Sequence, residues 1–331
     1  MKRSEADKQL TLLSALNSSG LQFIFKGGTA LMLMLNKPSR LSIDIDIIIQ
    51  DKNIEIETIF NQIIEKGIFI KYSKQERYVI SDIEKAHYKF FYKPQIQTHS
   101  PEEYILLDIL LEKNPYNQLT QTPIQSLFIL PSGKPEFVST PVFEDILGDK
   151  LTAFAPNTTG IPYHKGKNSM SMEIIKQLYD IGNLFDAITN TEEVRKTFLT
   201  IAQTELNYRN QDNFTPINVL DDIIQTAFCI STRGQSGNCP FVEIQQGINR
   251  IKSYIFSEKY LIENVIVSAA KAAYLAYLIK TGNNQIERFI SKESIKDITI
   301  TNPEWNKLNK LKSGLPEAFW YWEKFIQNIE R

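Results

Sequence analysis

The chain has 331 residues, of which 42% are hydrophobic and 11% aromatic, and its formal net charge at pH 7 is -1. A chain of this length and composition can bury a large core and is expected to form two domains. The near-zero charge excludes a global electrostatic attraction to nucleic acid, so any RNA contact must come from a local basic surface.

Cysteine usage and apolar runs indicate the compartment. The two cysteines, Cys229 and Cys239, are too few for a disulfide framework or a zinc site, and we expect buried or free thiols in a reducing cytoplasm. The N-terminal residues lack the apolar segment of a signal peptide, and no apolar run approaches the roughly 18 residues of a spanning helix. The sequence therefore predicts a cytoplasmic protein without membrane contact.

The first elements are a helix and a short strand. Residues 4–18 combine leucines with charged residues in a pattern typical of an amphipathic helix, and Gly20 can terminate that helix. Residues 23–25 form an apolar run that predicts a buried strand. The string Lys26-Gly27-Gly28-Thr29 then breaks the strand, because glycine tolerates a positive φ angle.

A second helix is expected directly after the two glycines. Residues 29–35 are good helix formers with Thr29 available as a cap, and residues 36–38, Asn-Lys-Pro, stop them. The glycines therefore lie at a helix N-terminus, where free N–H groups and the positive end of the helix dipole suit phosphate oxygens.

Two acids follow on the next predicted strand. Residues 43–49 alternate at their start and are rich in isoleucine, which is typical of a strand. Asp44 and Asp46 then project from one face, about 7 Å apart at Cα, while the isoleucines pack behind them. Carboxylates that close repel one another unless a cation neutralises them, and their oxygens suit Mg²⁺ or Mn²⁺. The pattern predicts a divalent metal site.

The sheet is expected to continue after a helix. Residues 51–67 have apolar residues at helical spacing, which predicts a crossover helix, after which the next strand can return beside the first. Short β-rich runs then look like a meander that closes the sheet; they are residues 68–72, 78–80, 87–92 and 104–111.

Asp108 is the one acid inside the last of these runs. An ionised carboxylate rarely stays unpaired among apolar neighbours. Asp108 is therefore either a strand-edge residue bonded to a neighbouring amide or a third carboxylate.

The second half of the chain is predicted to be mainly helical. Residues 114–140 are rich in proline and predict a loop-rich connector with one strand-like run at 126–130, so we place the domain boundary between 135 and 136. Residues 156–170 form a polar loop of the length typical of a lid or binding loop. Helical spacing recurs at residues 142–154, 173–188, 193–207, 218–230, 241–256, 260–280 and 316–329.

A Gly-rich turn that can hold a triphosphate, followed by D-x-D on the next strand, resembles the active-site motif of the polymerase-β-like nucleotidyltransferase superfamily. The fuller string is K-G-G-T-A-L from Lys26, followed by R-x-S-x-D-I-D from Arg40 to Asp46, which includes Ser42. It resembles the AbiEii/AbiGii-type nucleotidyltransferase toxins of bacterial toxin–antitoxin and phage-defence systems. Alone, the K-G-G-T string fits an ordinary tight turn, and the D-I-D string fits an exposed strand edge. The two strings together, in this order, favour an active site over these ordinary structures.

Two later strings resemble further motifs of the toxin family. D-K-L-T-A-F contains Lys150, which the resemblance places on a helix that reaches the nucleotide, whereas helical spacing alone favours a solvated surface lysine. K-x-x-x-D-I runs from Lys176 to Asp180, and the resemblance implies that Asp180 accompanies Lys150 in the active site. By spacing alone, Lys176 and Asp180 are a weak surface pair.

The resemblance implies an α+β fold, in which a polymerase-β-like domain with a mixed sheet and flanking helices (1–135) precedes a mainly helical domain (136–331). The second domain would contribute Lys150 and Asp180 to the active-site cleft. The implied catalytic residues are Asp44, Asp46, Asp108, Lys150 and Asp180, and the implied metal ligands are Asp44, Asp46 and Asp108. The implied nucleotide-binding residues are Lys26, Gly27, Gly28, Thr29, Arg40, Ser42 and Lys150.

The implied activity is metal-dependent transfer of nucleotides from a nucleoside triphosphate to an RNA acceptor such as the 3′ end of a tRNA, by a toxin with a cognate antitoxin. Two alternatives stay open. In the first, the chain is a catalytically silent module that binds a nucleotide or a partner. In the second, the chain is a nucleotidyltransferase whose acceptor is a protein or a small molecule. Two groups of lysines either line a path for an RNA backbone or are soluble surface; they are Lys165 with Lys167, and Lys307 with Lys310 and Lys312.

Overall fold

The computed structural model describes residues 3–35, 40–75, 85–94, 100–125 and 136–329. The chain divides into two compact units, Met1–Val142 with Tyr254–Glu258, and Phe143–Ser253 with Lys259–Arg331. The units divide seven residues later than the boundary placed after residue 135, and the first unit also includes a short segment from later in the chain. An antiparallel bridge between Arg40 and Ile255 joins that segment to the first unit.

The first unit contains three helices and seven strands among the described residues. Its helices are α1 (Arg3–Ser18), α2 (Gly27–Met34) and α3 (Ile56–Glu65). Its strands are β1 (Ile24–Lys26), β2 (Asp44–Ile49), β3 (Lys71–Gln75), β4 (Lys85–Tyr92), β5 (Glu103–Leu111), β6 (Leu119–Pro123) and β7 (Phe137–Pro141). The strand-like runs at 78–80 and 126–130, and the helix stop at 36–38, lie outside the described residues.

Five strands form a mixed sheet in the order β1-β2-β5-β4-β3. β2 and β5 are parallel, whereas β5, β4 and β3 form an antiparallel meander, as the sequence predicts. The expectation that the strand after the crossover helix α3 returns beside the first is wrong, because β3 lies at the opposite edge. Its sequence, Lys-Tyr-Ser-Lys-Gln, is polar, and an edge strand tolerates exposed polar residues that a central strand does not.

The two faces of the sheet differ in polarity because side chains alternate along each strand. One face carries apolar residues such as Ile45 and Ile47, which are buried with residues of α1 and α3 in one hydrophobic core. The rest of that core includes Leu12, Leu13, Leu16, Phe60, Ile63, Phe90, Leu107 and Ile109. On the other face Asp44 and Asp46 are only half-buried. The alternation thus confirms that the acids share a face and the isoleucines pack behind them.

The connector predicted from residue 114 contains a pair of antiparallel strands that the sequence did not reveal. β6 and β7 pair antiparallel, and the buried hydroxyls of Thr122 and Thr140 lie 2.7 Å apart. Each strand ends in a proline, Pro123 or Pro141, which can end a strand without interrupting a ladder. The prolines therefore indicate strand ends here rather than a continuous loop.

The second unit is mainly helical, which confirms the predicted class. Its helices are α4 (Phe143–Ala153), α5 (Ser171–Ala187), α6 (Glu192–Tyr208), α7 (Pro216–Ser231), α8 (Phe241–Ile251), α9 (Ile262–Thr281), α10 (Leu311–Gly314) and α11 (Pro316–Ile329). Two-residue strands β8 (His164–Lys165) and β9 (Asn168–Ser169) pair, and 3₁₀ turns span Lys292–Ile295 and Asn306–Lys310. The predicted helix 241–256 is shorter than expected, since α8 ends at Ile251.

Helix α9 lies at the centre of this unit. Its sequence is long and apolar enough to cross a membrane by composition, with a mean hydropathy of 1.3, but 78% of that window is buried inside the protein. The expectation that no run approaches a spanning helix is therefore wrong as a statement about composition. The physical reason for the apolarity is packing, since a core helix surrounded by other helices is apolar on all sides.

The cysteines differ from the sequence expectation. Cys229 is buried as predicted, but Cys229 and Cys239 are joined by a disulfide, with their Cα atoms 5.8 Å apart. The prediction of free thiols is wrong because the intervening loop folds back onto the end of α7. Positive φ angles at Gly234 and Gly237, both +80°, make this return possible.

Candidate active site

The two glycines lie where an added side chain would meet neighbouring side chains. Gly27 has a φ angle of +80°, and a Cβ atom added to it would collide with the carboxylate of Asp46. A Cβ atom added to Gly28 would lie 2.7 Å from Ser42 Oγ and 2.8 Å from Arg40 Nη2. The turn backbone therefore approaches side chains of both the D-x-D strand and the segment before it. This close approach explains why glycine occupies both positions.

Thr29 fixes helix α2 against strand β2 rather than capping the helix. α2 begins at Gly27, its cap residue Lys26 makes no side-chain capping bond, and Thr29 is only 1% exposed. The Thr29 hydroxyl donates to the backbone carbonyl of Asp44 at 2.5 Å. The prediction of Thr29 as the cap is therefore wrong. Because the first amides of a helix have no intrahelical acceptor, the start of α2 presents N–H donors close to the acids.

A row of polar side chains crosses the sheet at one level. Lys26 on β1 pairs with Asp46 on β2, Asp46 pairs with Asp108 on β5, and Asp108 pairs with His87 on β4. Directly opposite residues of adjacent strands project from the same face, with the strands about 4.8 Å apart. The structure therefore brings Asp108 beside the D-x-D acids, and two neighbouring carboxylates lie between a lysine and a histidine.

His87 contacts the third acid directly. Its Nδ1 lies 2.7 Å from Asp108 Oδ1, and the two side chains are 13% and 27% exposed. The alternative that Asp108 lies on an edge strand is wrong, because β5 is flanked by β2 and β4. An ionised carboxylate only accepts hydrogen bonds, so Nδ1 of His87 donates to it. Sequence reasoning missed His87, although its alternation with the buried Tyr88 and Phe90 places it on the polar face.

The donor set suits a hard cation bound together with a substrate. Among the residues that the structure describes, no group of three or more His, Cys, Asp and Glu side chains is arranged to hold a metal ion. Magnesium, however, commonly takes one or two carboxylates and completes its shell with water and substrate phosphates. Asp44 and Asp46, on one face beside the glycine turn, fit that pattern. The three-carboxylate metal set stays a prediction.

The second unit holds the other two predicted catalytic residues as a pair. Lys150 on α4 and Asp180 on α5 form an ion pair, with Nζ and Oδ2 3.0 Å apart. Their side chains are only 11% and 5% exposed, so Lys150 is not a solvated surface lysine. The Nζ atom of Lys176 lies 3.7 Å from Oε1 of Glu173, on the same helix. Burial of both charges is costly unless they are paired, which explains their close contact.

The polar segment at residues 156–170 is anchored to α7. The Asp222 carboxylate accepts hydrogen bonds from both the backbone and the side chain of Asn157, and from the Thr158 hydroxyl. Burial raises the pKa of the Asp222 carboxyl above its ordinary value, and burial also raises the pKa of Tyr163 to about 12. The start of the predicted lid is therefore a bonded, packed structure.

The match to a family profile decides the relationship of this chain to known proteins. The family described as Nucleotidyl transferase AbiEii toxin, Type IV TA system, matches residues 11–229. The chain belongs to the AbiEii nucleotidyltransferase toxin family. This confirms the resemblance drawn from the motifs, and the matched range of this AbiEii-family chain includes every predicted site residue. Residues 230–331 lie beyond it.

Solved structures resemble the chain at low identity. JHP933 from Helicobacter pylori is 13% identical, with a TM-score of 0.44 over 83% of this chain and 90% of that one. A second H. pylori protein, provisionally described as a nucleotidyltransferase, is 14% identical, with a TM-score of 0.46 over 85% of this chain and 96% of that one. No curated protein matches the chain.

Proposed function

We propose that this AbiEii-family nucleotidyltransferase uses Mg²⁺ or Mn²⁺ to transfer a nucleotide from a nucleoside triphosphate to an RNA acceptor, such as the 3′ end of a tRNA. The observation that carries the proposal is the register of Asp46 opposite Asp108, with the Gly27 turn packed against the Asp46 carboxylate. Three acids and a phosphate-binding turn on one sheet are the parts that such a transfer needs.

Each group has a role in this proposal. The amides of Gly27, Gly28 and Thr29 at the start of α2 bind the triphosphate, because they point positive charge at anionic oxygens. Asp44 and Asp46 hold the divalent ion, which supplies neutralisation of the phosphate charge. We assign contact with the nucleotide to three further side chains as well, those of Lys26, Arg40 and Ser42.

The transfer itself forms one bond and breaks one. The acceptor hydroxyl oxygen bonds to the α-phosphorus, the bond from that phosphorus to the bridging oxygen breaks, and pyrophosphate leaves with the electron pair. Asp108 accepts the hydroxyl proton as general base, while the Nδ1–H of His87 holds the Asp108 carboxylate in place. Lys150, paired with Asp180, neutralises charge on the departing pyrophosphate in this assignment.

Membership of a type IV toxin family implies an antitoxin partner for the chain. We propose that added nucleotides block aminoacylation of tRNA, that the reaction takes place in the cytoplasm where tRNA is charged, and that the system acts in phage defence. The RNA acceptor is the part of the proposal that rests on family resemblance, so the experiment must test it separately from the chemistry.

The test incubates the protein with Mg²⁺, each of the four α-labelled nucleoside triphosphates in turn, and total bacterial tRNA. Protein and small-molecule fractions are examined in parallel. Asp46→Asn should reduce label transfer at least about 100-fold, because it removes a metal-binding charge. Asp51→Asn, an exposed acid just after β2, is the matched control and should transfer normally. Thermal unfolding of all proteins checks the fold.

The outcomes separate the parts of the proposal. Equal transfer by Asp46→Asn and wild type would rule out the metal site. Label in protein or a small molecule but not in RNA would retain the enzyme and exclude the RNA acceptor. Bound nucleotide without transfer to any fraction would indicate the catalytically silent module.

A further inference from the structure

The C-terminal part of the second unit gathers basic side chains around two concavities, of about 280 and 600 Å³, which share Lys310. The cationic side chains that line them are Arg233, Lys292, Lys296, Lys307, Lys310 and Lys312. Among the described residues, two carboxylates line the same concavities, Glu263 and Glu293. We call these six cationic residues the C-terminal basic surface. It contrasts with the whole chain, whose net charge is -1.

Three separate segments are held together to form this surface. The Asn309 side chain accepts a hydrogen bond from the backbone N–H of Ile300 at 2.9 Å and donates to its carbonyl at 2.8 Å. Ile295 and Leu308, one from each 3₁₀ turn, are buried beneath the surface. Lysines from both turns therefore stand on a fixed base, so that little side-chain and loop ordering remains when a ligand binds.

The lysines that hold the segments together bond to neutral groups. Lys307 donates to the Gln235 carbonyl at 2.7 Å and to the Ser236 hydroxyl at 2.8 Å. Lys312 donates to two backbone carbonyls, of Lys296 and Ile298, at 2.8 and 2.7 Å. Neutral acceptors orient an ammonium group without cancelling its charge. Arg233 is paired with Glu263, with Nη2 and Oε1 3.1 Å apart, so the positive potential of the surface comes from its five lysines.

Other lysines of the same unit behave differently. Lys271 forms ion pairs with Asp186 at 2.8 Å and Glu317 at 3.0 Å, and Lys280 pairs with Asp221 at 2.6 Å. The carboxylate of such a pair cancels most of the positive potential that the lysine would otherwise produce at a distance. The five lysines around the concavities therefore differ from the ordinary charged surface of this unit, where both signs are interspersed.

We propose that the C-terminal basic surface binds the phosphate backbone of the RNA acceptor, an inference that rests on the proposed function. Lysine ammonium groups contact phosphates as point charges and release counterions, which supplies affinity without reading sequence. The surface lies beyond residue 229, where the family match ends. It explains how a chain with no overall positive charge binds RNA.

The lining favours RNA over an acidic protein. Its apolar members are the aliphatic Ile295, Leu311 and Leu315, and no aromatic side chain lines either concavity among the described residues. Protein interfaces are centred on buried aromatic and arginine anchors, whereas phosphate binding needs only positioned cations. Binding of an acidic polypeptide in place of RNA is therefore an outcome for the experiment to exclude.

The experiment measures binding of total tRNA to the full chain without nucleotide, over a range of salt concentrations. The test variant is Lys292→Gln/Lys296→Gln/Lys310→Gln, whose three exposed lysines leave the structural bonds of Lys307 and Lys312 intact. The matched control is Lys196→Gln/Lys252→Gln/Lys280→Gln, three exposed lysines of the same unit away from the concavities. Both variants change the net charge equally. Polyglutamate serves as the competing polyanion.

The test variant should bind tRNA about 10- to 100-fold more weakly, with the slope of log affinity against log salt reduced by about 2 to 3. Its KM for RNA in the transfer reaction should rise while its kcat is unchanged. The control variant should match wild type in each measurement. Polyglutamate should compete poorly.

Three results would overturn the assignment of this surface: equal tRNA affinity of test and control variants, no tRNA binding by wild type, or tighter binding of polyglutamate than of tRNA. Failure of the proposed function is read separately. The proposed function fails if wild-type protein produces no labelled RNA in the transfer assay. The binding measurement does not depend on that result.

Discussion

Replacing Gly27 with alanine tests whether the proposed phosphate-binding turn and the acids form one site. Gly27 has a φ angle of +80°, so alanine there pays about 1–2 kcal/mol for a left-handed backbone. Its new methyl group would also occupy the position of the Asp46 carboxylate. The carboxylate must rotate or the turn must move, and either change misplaces a group that the proposed chemistry needs.

Gly67→Ala provides a matched control within the same unit. Gly67 has a φ angle of +78°, but no heavy atom lies within 4 Å of an added Cβ. Its substitution therefore carries the backbone cost of about 1–2 kcal/mol without a collision. Comparison of the two variants separates the effect on Asp46 from the general effect of an alanine at positive φ.

Both variants should lose similar stability in urea unfolding, within about 1 kcal/mol, because a carboxylate on a half-exposed face can rotate away from the new methyl. Nucleotide transfer should differ sharply. We expect Gly27→Ala to transfer about 100-fold more slowly than Gly67→Ala, since a displacement of about 1 Å at a reacting site has that effect. Equal transfer rates in the two variants would refute the coupling of the turn to Asp46.

Two further predictions concern single contacts. Asp180→Ala should destabilise the second unit by about 3–5 kcal/mol, because it leaves the Lys150 ammonium buried without this partner. The double variant Lys150→Met/Asp180→Leu should regain most of that stability, because it removes both buried charges, but it should not regain transfer activity. Urea unfolding checks both, and a loss below about 1 kcal/mol in the single variant would contradict the buried pair. Thr29→Val should cost about 1–3 kcal/mol by removing the hydroxyl that donates to the Asp44 carbonyl, whereas Thr29→Ser should retain most of the stability. Equal stability of the valine and serine variants would contradict a structural role for this hydroxyl.

Local patterns in the sequence predicted the acids of β2 but not the row that they join. Alternation alone places Asp44 and Asp46 on one face, because side chains on a strand repeat every two residues. The position of Asp108 opposite Asp46, and of His87 opposite Asp108, depends on which strands pair and in which register. Those pairings are long-range, so spacing along the chain does not determine them. Family resemblance supplied Asp108, while nothing in the sequence argument supplied His87.

The cysteines and α9 show a different limit of composition rules. A small number of cysteines argues against a disulfide framework, yet one loop closed by Gly234 and Gly237 is enough to join Cys229 to Cys239. Likewise, hydropathy measures the apolarity of α9 without distinguishing a surrounding of lipid from a surrounding of helices. In both cases the deciding fact is what lies around the residue in three dimensions.

The glycine turn has two separate requirements for its sequence. Binding of phosphate oxygens by helix N-terminal amides requires only that the backbone be accessible, which a small side chain can also permit. The positive φ angle of Gly27 and its contact with Asp46 add a second requirement, which glycine meets without strain or collision. A module that only held nucleotide would need the first requirement alone. The second links the turn to the carboxylate, so the geometry favours a site built for transfer over one built only for binding.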